Sequence, residues 1–501
     1  MQAAIRALLE PLGQVSDLNH AAGLLGWDER TKMPPRGAAV RAEQLATLAR
    51  IAHERFVSDE LGRLLDAAEE SLDGAAEDSF EASLVRVTRR DWEKARRVPA
   101  DLAADIARAG SQSERAWEEA RERSDFAAFL PHLERLLELQ RRYVECFEVD
   151  HPYDAVLDDY EPGMKTPAVA EVLGKLRDGL VPLVKEIAAS SVEIDDSILY
   201  GEFDAESQAA LAREVAEAMP LEPGAWRLDE TVHPFASAIG VSDLRITTRY
   251  EPDFVGTALW AVIHECGHAM YHNGIDPQLE RTPLCRSVSL GFDESQSRMW
   301  ENWVGRGRPF VGRLQAILAR HFPDRFGSVG AEELYRAANR VRPSLIRVDA
   351  DEVTYNLHII LRFELELALF EERLAPADLP DAWNAKVNEL LGIEVPDDAS
   401  GVLQDVHWAA GAFGYFPTYS LGNVIAGQTW ELAREALPDL DDQLAAGELK
   451  PLRDFLAERL YSHGGKFEPA AMIERLTGGP LDPEPLLRQL RAKFGELYGL
   501  T

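Results

Sequence analysis

Along most of the chain, apolar residues recur at intervals of three and four with charged residues between them. A helix turns once every 3.6 residues, so this spacing lays an apolar stripe on one helical face. "VRAEQLATLARIAHERF" (40–56) shows it plainly, and similar patterns predict helices over 59–75, 79–97, 99–123, 126–148, 166–190, 356–374 and 451–467. Breaks fall at Gly, Pro and Asp-rich points. The opening "MQAAIRALLEPLGQV" reads as a short amphipathic pattern interrupted by Pro11 and Gly13. No internal repeat, low-complexity segment or linker divides the chain, so the expectation is one large helical domain over 1–501.

One stretch departs from that period. In "DLRITTRY" (243–250), Leu244, Ile246 and Thr248 alternate with Arg245, Thr247 and Arg249. Period two with β-branched residues predicts a strand. The expected fold class is therefore all-α (mainly helical) with one small β-sheet. The position suits an edge strand, which can hold an extended peptide by main-chain pairing.

Immediately downstream stands "WAVIHECGHAMYH" (260–272), with histidines at 264, 268 and 272. Residues four apart share a helical face, so all three lie near one stripe. Leu259, Val262, Ile263, Cys266 and Met270 fall opposite, which makes Cys266 a core residue rather than a ligand. Three histidines cannot meet at one ion: His272 sits about 12 Å along the axis from His264. Ligand nitrogens on one zinc lie within roughly 4 Å of one another. The pair is therefore His264 and His268, and His272 is left to surround the site, line the cleft or face solvent. Glu265 points about 100° round, where it reaches a water on the metal without occupying a coordination place. This is the HExxH arrangement of a zinc peptidase.

The longer form with a third histidine is excluded, because Tyr271 and Asp276 do not fit it. A downstream acid must complete the set. "GFDESQSRMWENW" (291–303) offers Asp293, Glu294 and Glu301, and Glu280 lies in the intervening loop; spacing alone does not choose among them.

Composition narrows the setting. The formal charge of −33 opposes phosphate binding and so argues against a nucleic-acid partner. Cys146, Cys266 and Cys285 are too few for a disulfide framework and fit a reducing compartment. No uncharged run approaches the ~20 residues of a membrane span. A soluble cytoplasmic protein is expected.

With these residues in place, the chain resembles the carboxypeptidase Taq family of metallocarboxypeptidases over nearly its whole length. The matching segments are 24–54, "HPYDAVLDDYEPGM" (151–164), "HPF" (233–235), "DLRITTRY", "HECGH", "TPL" with "DESQSRMWEN", "IRVDADEVTYNLHI" (346–359) and "GVLQDVHWAAGAFGYFPTYSLGN" (401–423). The resemblance implies a two-lobed helical body with a deep cleft, similar to thimet oligopeptidase and angiotensin-converting enzyme. It implies Glu294 as third ligand, a Zn2+ ion that Co2+ can replace, a cytoplasmic homodimer, and removal of single C-terminal residues with broad specificity. The chain departs from the family at Asp293, where histidine is usual, and at Arg281 and Cys285, where glycine is common. Aspartate only accepts hydrogen bonds where imidazole can donate one.

The expected mechanism uses Glu265 as general base, with His407, Tyr415 and Tyr419 as candidate donors to the tetrahedral intermediate. Arg347 is assigned to the substrate's C-terminal carboxylate, against the plainer reading of an ion pair with Asp349 or Asp351. Gln404 and Asp405 are expected at the same site, holding a helix that carries His407 or orienting a ligand histidine. Two readings compete: an endo-acting oligopeptidase, and a peptide-binding protein without turnover, against which the intact Glu265 speaks.

Overall fold

The structure, a computed structural model, describes residues 2–500; Met1 and Thr501, the ends of the expected domain 1–501, lie outside the described residues. The periodic segments form the helices Ala38–Phe56, Asp59–Glu70, Phe80–Arg97, Ala100–Arg123, Phe126–Val144 and Thr166–Ala189. Several starts are fixed by side-chain caps. Ser58 accepts from the Leu61 amide, Ser79 from Ala82 and Asp125 from Ala128. Each satisfies a donor that the first helical turn leaves unpaired.

Two segments differ from their reading. Pro11 and Gly13 interrupt nothing: Ala3–Thr31 is one helix with Pro11 inside. The proline forfeits one backbone bond, but Ile5, Leu8 and Leu12 are buried together with Leu61, Leu65 and Leu84. Packing of that apolar face outweighs the local penalty. In 451–467 the helix stops at Arg459, and a kinked turn Tyr461–Lys466 follows, with Gly464 at φ 51. That left-handed backbone suits glycine and ends the helical period.

Two hydrophobic clusters fill the molecule. The smaller joins the N-terminal helices to Val241, Ile275, Leu279 and Leu284. The larger runs from Ala120 to Tyr498 and includes the apolar side of the "HECGH" segment.

The sheet has three strands: β1 (Trp226–Glu230), β2 (Ala236–Gly240) and β3 (Asp243–Thr248), in the order β1-β3-β2. β3 is parallel to β1 and antiparallel to β2. The expectation of an edge strand at 243–250 is therefore overturned, because β3 is central and paired on both sides. Its neighbours, "WRLDE" and "ASAIG", carry too much charge or too little side chain to show period two, which is why they were not legible. Leu244 and Ile246 bury into the same cluster as Val262, Ile263 and Cys266, so the sheet backs the histidine helix. Among the described residues, no helix is long and apolar enough to cross a membrane.

Candidate active site

A π-turn, Thr257–Ala261, leads into the histidine helix Val262–Asn273. Leu259, Val262, Ile263, Cys266 and Met270 are fully buried, so the back face anchors the helix and Cys266 is core. The second helix, Leu290–Arg298, is held at its start from two sides. Ser289 accepts from the Phe292 amide at 3.2 Å, and the buried Glu161 carboxylate accepts from Gly291 N at 2.5 Å. The two helices touch at Gly267, where a Cβ would lie 2.6 Å from Ser297 Cα and 2.7 Å from the Gln296 carbonyl. On the other flank, Gly422 of helix Pro417–Ala436 would place a Cβ 3.0 Å from Glu294 Cβ. Glycine on both sides is what lets the Glu294 helix approach this closely.

That approach assembles a donor set. One ligand atom each from His264, His268 and Glu294 lies within 4.8 Å of the others. Glu294 Oε2 is 3.7 Å from His264 Nε2 and 3.5 Å from His268 Nε2. The far nitrogens are taken: His264 Nδ1 meets Glu301 Oε2 at 2.9 Å, and His268 Nδ1 meets Asp293 Oδ1 at 2.5 Å. A carboxylate that accepts the Nδ1 proton fixes the tautomer with its Nε2 lone pair free, which is how ligand histidines are usually held. Two such imidazoles facing one carboxylate oxygen fit a divalent ion.

The four acids left open by spacing thus part company. Glu294 shares the central space, Glu301 and Asp293 hold the histidines, and Glu280 accepts from the Val241 amide. Asp293 also takes His272 Nε2 at 3.0 Å through its second oxygen, so His272 is joined to the cluster through Asp293. The surplus negative charge is partly offset by two arginines. Arg298 Nε donates to Glu294 Oε1 at 2.7 Å, and Arg306 Nη2 to Glu301 Oε1 at 3.0 Å. Burial opposes ionisation of Glu294, yet the charge of Arg298, with the two histidines adding to it, holds its carboxyl well below the usual range. Among the described residues, Glu265 has no guanidinium partner: burial pushes its carboxyl above the ordinary value, with the two histidines opposing. A carboxylate with raised proton affinity beside the donor set is equipped for general base work.

The later motifs close over the same place. His407 lies in an irregular loop, so the expected helix around it is absent. Its Nε2 is 3.3 Å from the Tyr419 hydroxyl, and its ring packs 5.2 Å from Tyr415. Burial, reinforced by the charge of Arg347, lowers His407 to about 4, which leaves it neutral at ordinary pH. Burial raises Tyr415 to about 12, with the nearby Glu294 charge adding to the shift, and raises Tyr419 for the same leading reason. Both hydroxyls keep their protons and remain donors.

Arg347 pairs with neither Asp349 nor Asp351. Its Nε and Nη2 donate to Asp405 Oδ1 at 2.9 and 2.8 Å, and its backbone amide donates to Gln404 Oε1 at 2.9 Å. Gln404 and Asp405 therefore hold Arg347; the histidines are oriented by Glu301 and Asp293 instead. A cavity of about 680 Å³ is lined by His264, Arg298, Glu301, Arg347 and Tyr355 among others.

The sequence profile described as carboxypeptidase Taq (M32) metallopeptidase matches residues 7–494. The chain belongs to this family. Thermostable carboxypeptidase 1 of Thermus thermophilus is 42% identical, over 99% of each chain. Carboxypeptidase 1 of Bacillus subtilis is 38% identical over 97% of each. The crystal structure of an M32 carboxypeptidase from Deinococcus radiodurans R1 superposes with a TM-score of 0.96 at 39% identity, covering 99% of this chain and 100% of that one. Family membership makes the chain a metallocarboxypeptidase, a hydrolase of peptide bonds that works with a metal ion. Sequence reasoning missed several features of the site: Gly267 and Gly422 as points of helix contact, the Glu161 cap, and Tyr355 beside Arg347. The i, i+4 spacing of Glu294 and Arg298 was the signal for their ion pair.

Proposed function

We propose that this M32 protein is a zinc carboxypeptidase that removes single residues from the free C-termini of peptides, with broad specificity. The observation that carries the reading is the convergence of His264 Nε2 and His268 Nε2 on one Glu294 oxygen, beside a cavity containing a buried arginine. Two imidazoles and one carboxylate suit Zn2+, and Co2+ accepts the same donors. When bound there, the ion would polarise the scissile carbonyl and acidify water.

The chain's own residues supply the rest. Glu265 takes the proton of the attacking water and returns it to the leaving amine. The neutral His407 and the protonated Tyr415 and Tyr419 donate to the oxyanion that develops on the carbonyl. Arg347, fixed by Asp405 and Gln404, receives the carboxylate of the departing residue. The partners of this reading are peptides with a free C-terminus, with no role for nucleic acid or membrane, and the working form is a single-domain chain in a cytoplasmic homodimer.

Glu265→Gln tests the mechanism, since it removes the base but preserves shape. Metal content by elemental analysis should match wild type, while kcat falls by about 10²–10⁴. Loss of the metal along with activity would make Glu265 a ligand or a prop.

A further inference from the structure

The recognition of the carboxylate involves a second residue. Arg347 has five N–H donors. Asp405 Oδ1 takes two of them, from Nε and Nη2, and the Tyr355 hydroxyl takes one, from Nη1 at 3.2 Å. One hydrogen remains on each of Nη1 and Nη2. The second oxygen of Asp405 is occupied by Arg362, a fully buried side chain that donates to it through Nε and Nη2. Two guanidinium groups thus share one carboxylate, and this contact group holds one positive charge in excess. An anion arriving at Arg347 neutralises that excess without displacing Asp405.

The Tyr355 hydroxyl accepts from Arg347, so its own proton is directed elsewhere. Among the described residues, it donates no hydrogen bond to a protein acceptor. Its ring is pinned against the Arg298 guanidinium, 4.1 Å from the ring centroid, and edge-on to Tyr419 at 6.2 Å. Arg298 in turn holds Glu294. Both Tyr355 and Arg347 line the cavity that reaches His264.

We propose that Tyr355 is a specificity-determining residue that donates its hydroxyl proton to the substrate's C-terminal carboxylate, while Arg347 meets the same group end-on through the spare hydrogens of Nη1 and Nη2. The proposal rests on the carboxypeptidase reading. It places the carboxylate subsite and the metal ligands on one rigid chain of contacts, Arg347–Tyr355–Arg298–Glu294. That chain sets how far beyond the scissile bond the terminal charge must lie.

Tyr355→Phe removes only the hydroxyl and tests this directly. Initial rates are measured on a peptide free acid and its C-terminal amide, with metal content and melting temperature recorded for wild type and variant. On the free acid, kcat/KM should fall about tenfold or more, mainly through KM, because a hydrogen bond to a charged group is lost. On the amide it should stay within about twofold, and metal content should be unchanged. Equal losses on both substrates, an unchanged preference for the free acid, or loss of metal would each overturn the assignment of Tyr355. If the wild type itself shows no preference for the free acid, the carboxypeptidase reading falls and takes the proposal with it.

Discussion

Glu294 and Glu301 lie seven residues apart on one helical run, yet one faces both Nε2 atoms and the other a single Nδ1. The difference predicts unequal mutants. Glu294→Ala should lose nearly all bound metal, because it deletes a donor. Glu301→Ala should still load, with affinity reduced about 10–100-fold, because it deletes only the partner that orients His264. Elemental analysis after equilibration with a competing chelator separates the two, and the reverse order would exchange their roles. The histidine pair was legible because helix geometry alone eliminates His272 from direct coordination. Spacing did not choose the third member of the donor set, because choosing among four acids requires knowing which helix approaches; Glu294 came only from the family resemblance. Arg281, where the family resemblance implied glycine, has a similar lesson: it stands at φ 60, and its guanidinium is bound by Asp17. The left-handed backbone explains why glycine suits the position, and the ion pair explains how arginine is accommodated there.

The helices that carry these residues meet at glycines. Gly267→Ala should drive a methyl group into the Ser297 backbone, costing about 1–3 kcal/mol of stability and displacing Glu294 from the histidines. Denaturant unfolding and metal titration should show both losses together; a stable variant with normal metal affinity would refute the close-contact account. Sequence periodicity located the helices Ala38–Phe56 to Phe126–Val144, Thr166–Ala189 and Tyr355–Phe370, but not these contacts, since a missing side chain leaves no trace in an apolar pattern. It also misplaced β3, because flanking strands of small or charged residues do not alternate. The irregular loop around His407 has its own anchor. Glu366 accepts from Tyr153, Trp408 and Gly414, and burial raises its carboxyl to about 7 despite these donors. The folded protein then binds this proton more tightly than the unfolded chain does. The corresponding stabilisation is complete below the unfolded value near 4.5 and is lost as pH rises through about 7. Between those limits one such group contributes a slope of about −1.4 kcal/mol per pH unit. Unfolding measured from pH 5 to 7 should show that slope in wild type relative to Glu366→Gln, and parallel curves would contradict it.

At the scale of the molecule, the apolar packing is divided between an N-terminal cluster and a larger one that contains the histidine helix. Arg347 and Tyr355 line the same cavity as His264. A carboxypeptidase must find a negative charge one residue past the bond it cuts, within a chain whose formal charge is −33. In the proposed reading a buried cationic group meets that need locally, since short-range contacts in a poorly hydrated site outweigh a diffuse, screened surface charge. An oligopeptidase would have no use for it. The decisive measurement is a time course by mass spectrometry on one peptide supplied as free acid and as C-terminal amide, each with and without chelator. The account predicts that the free acid shortens by single C-terminal residues, that the amide resists, and that chelator stops the reaction. Internal fragments formed from both peptides at comparable rates would contradict it.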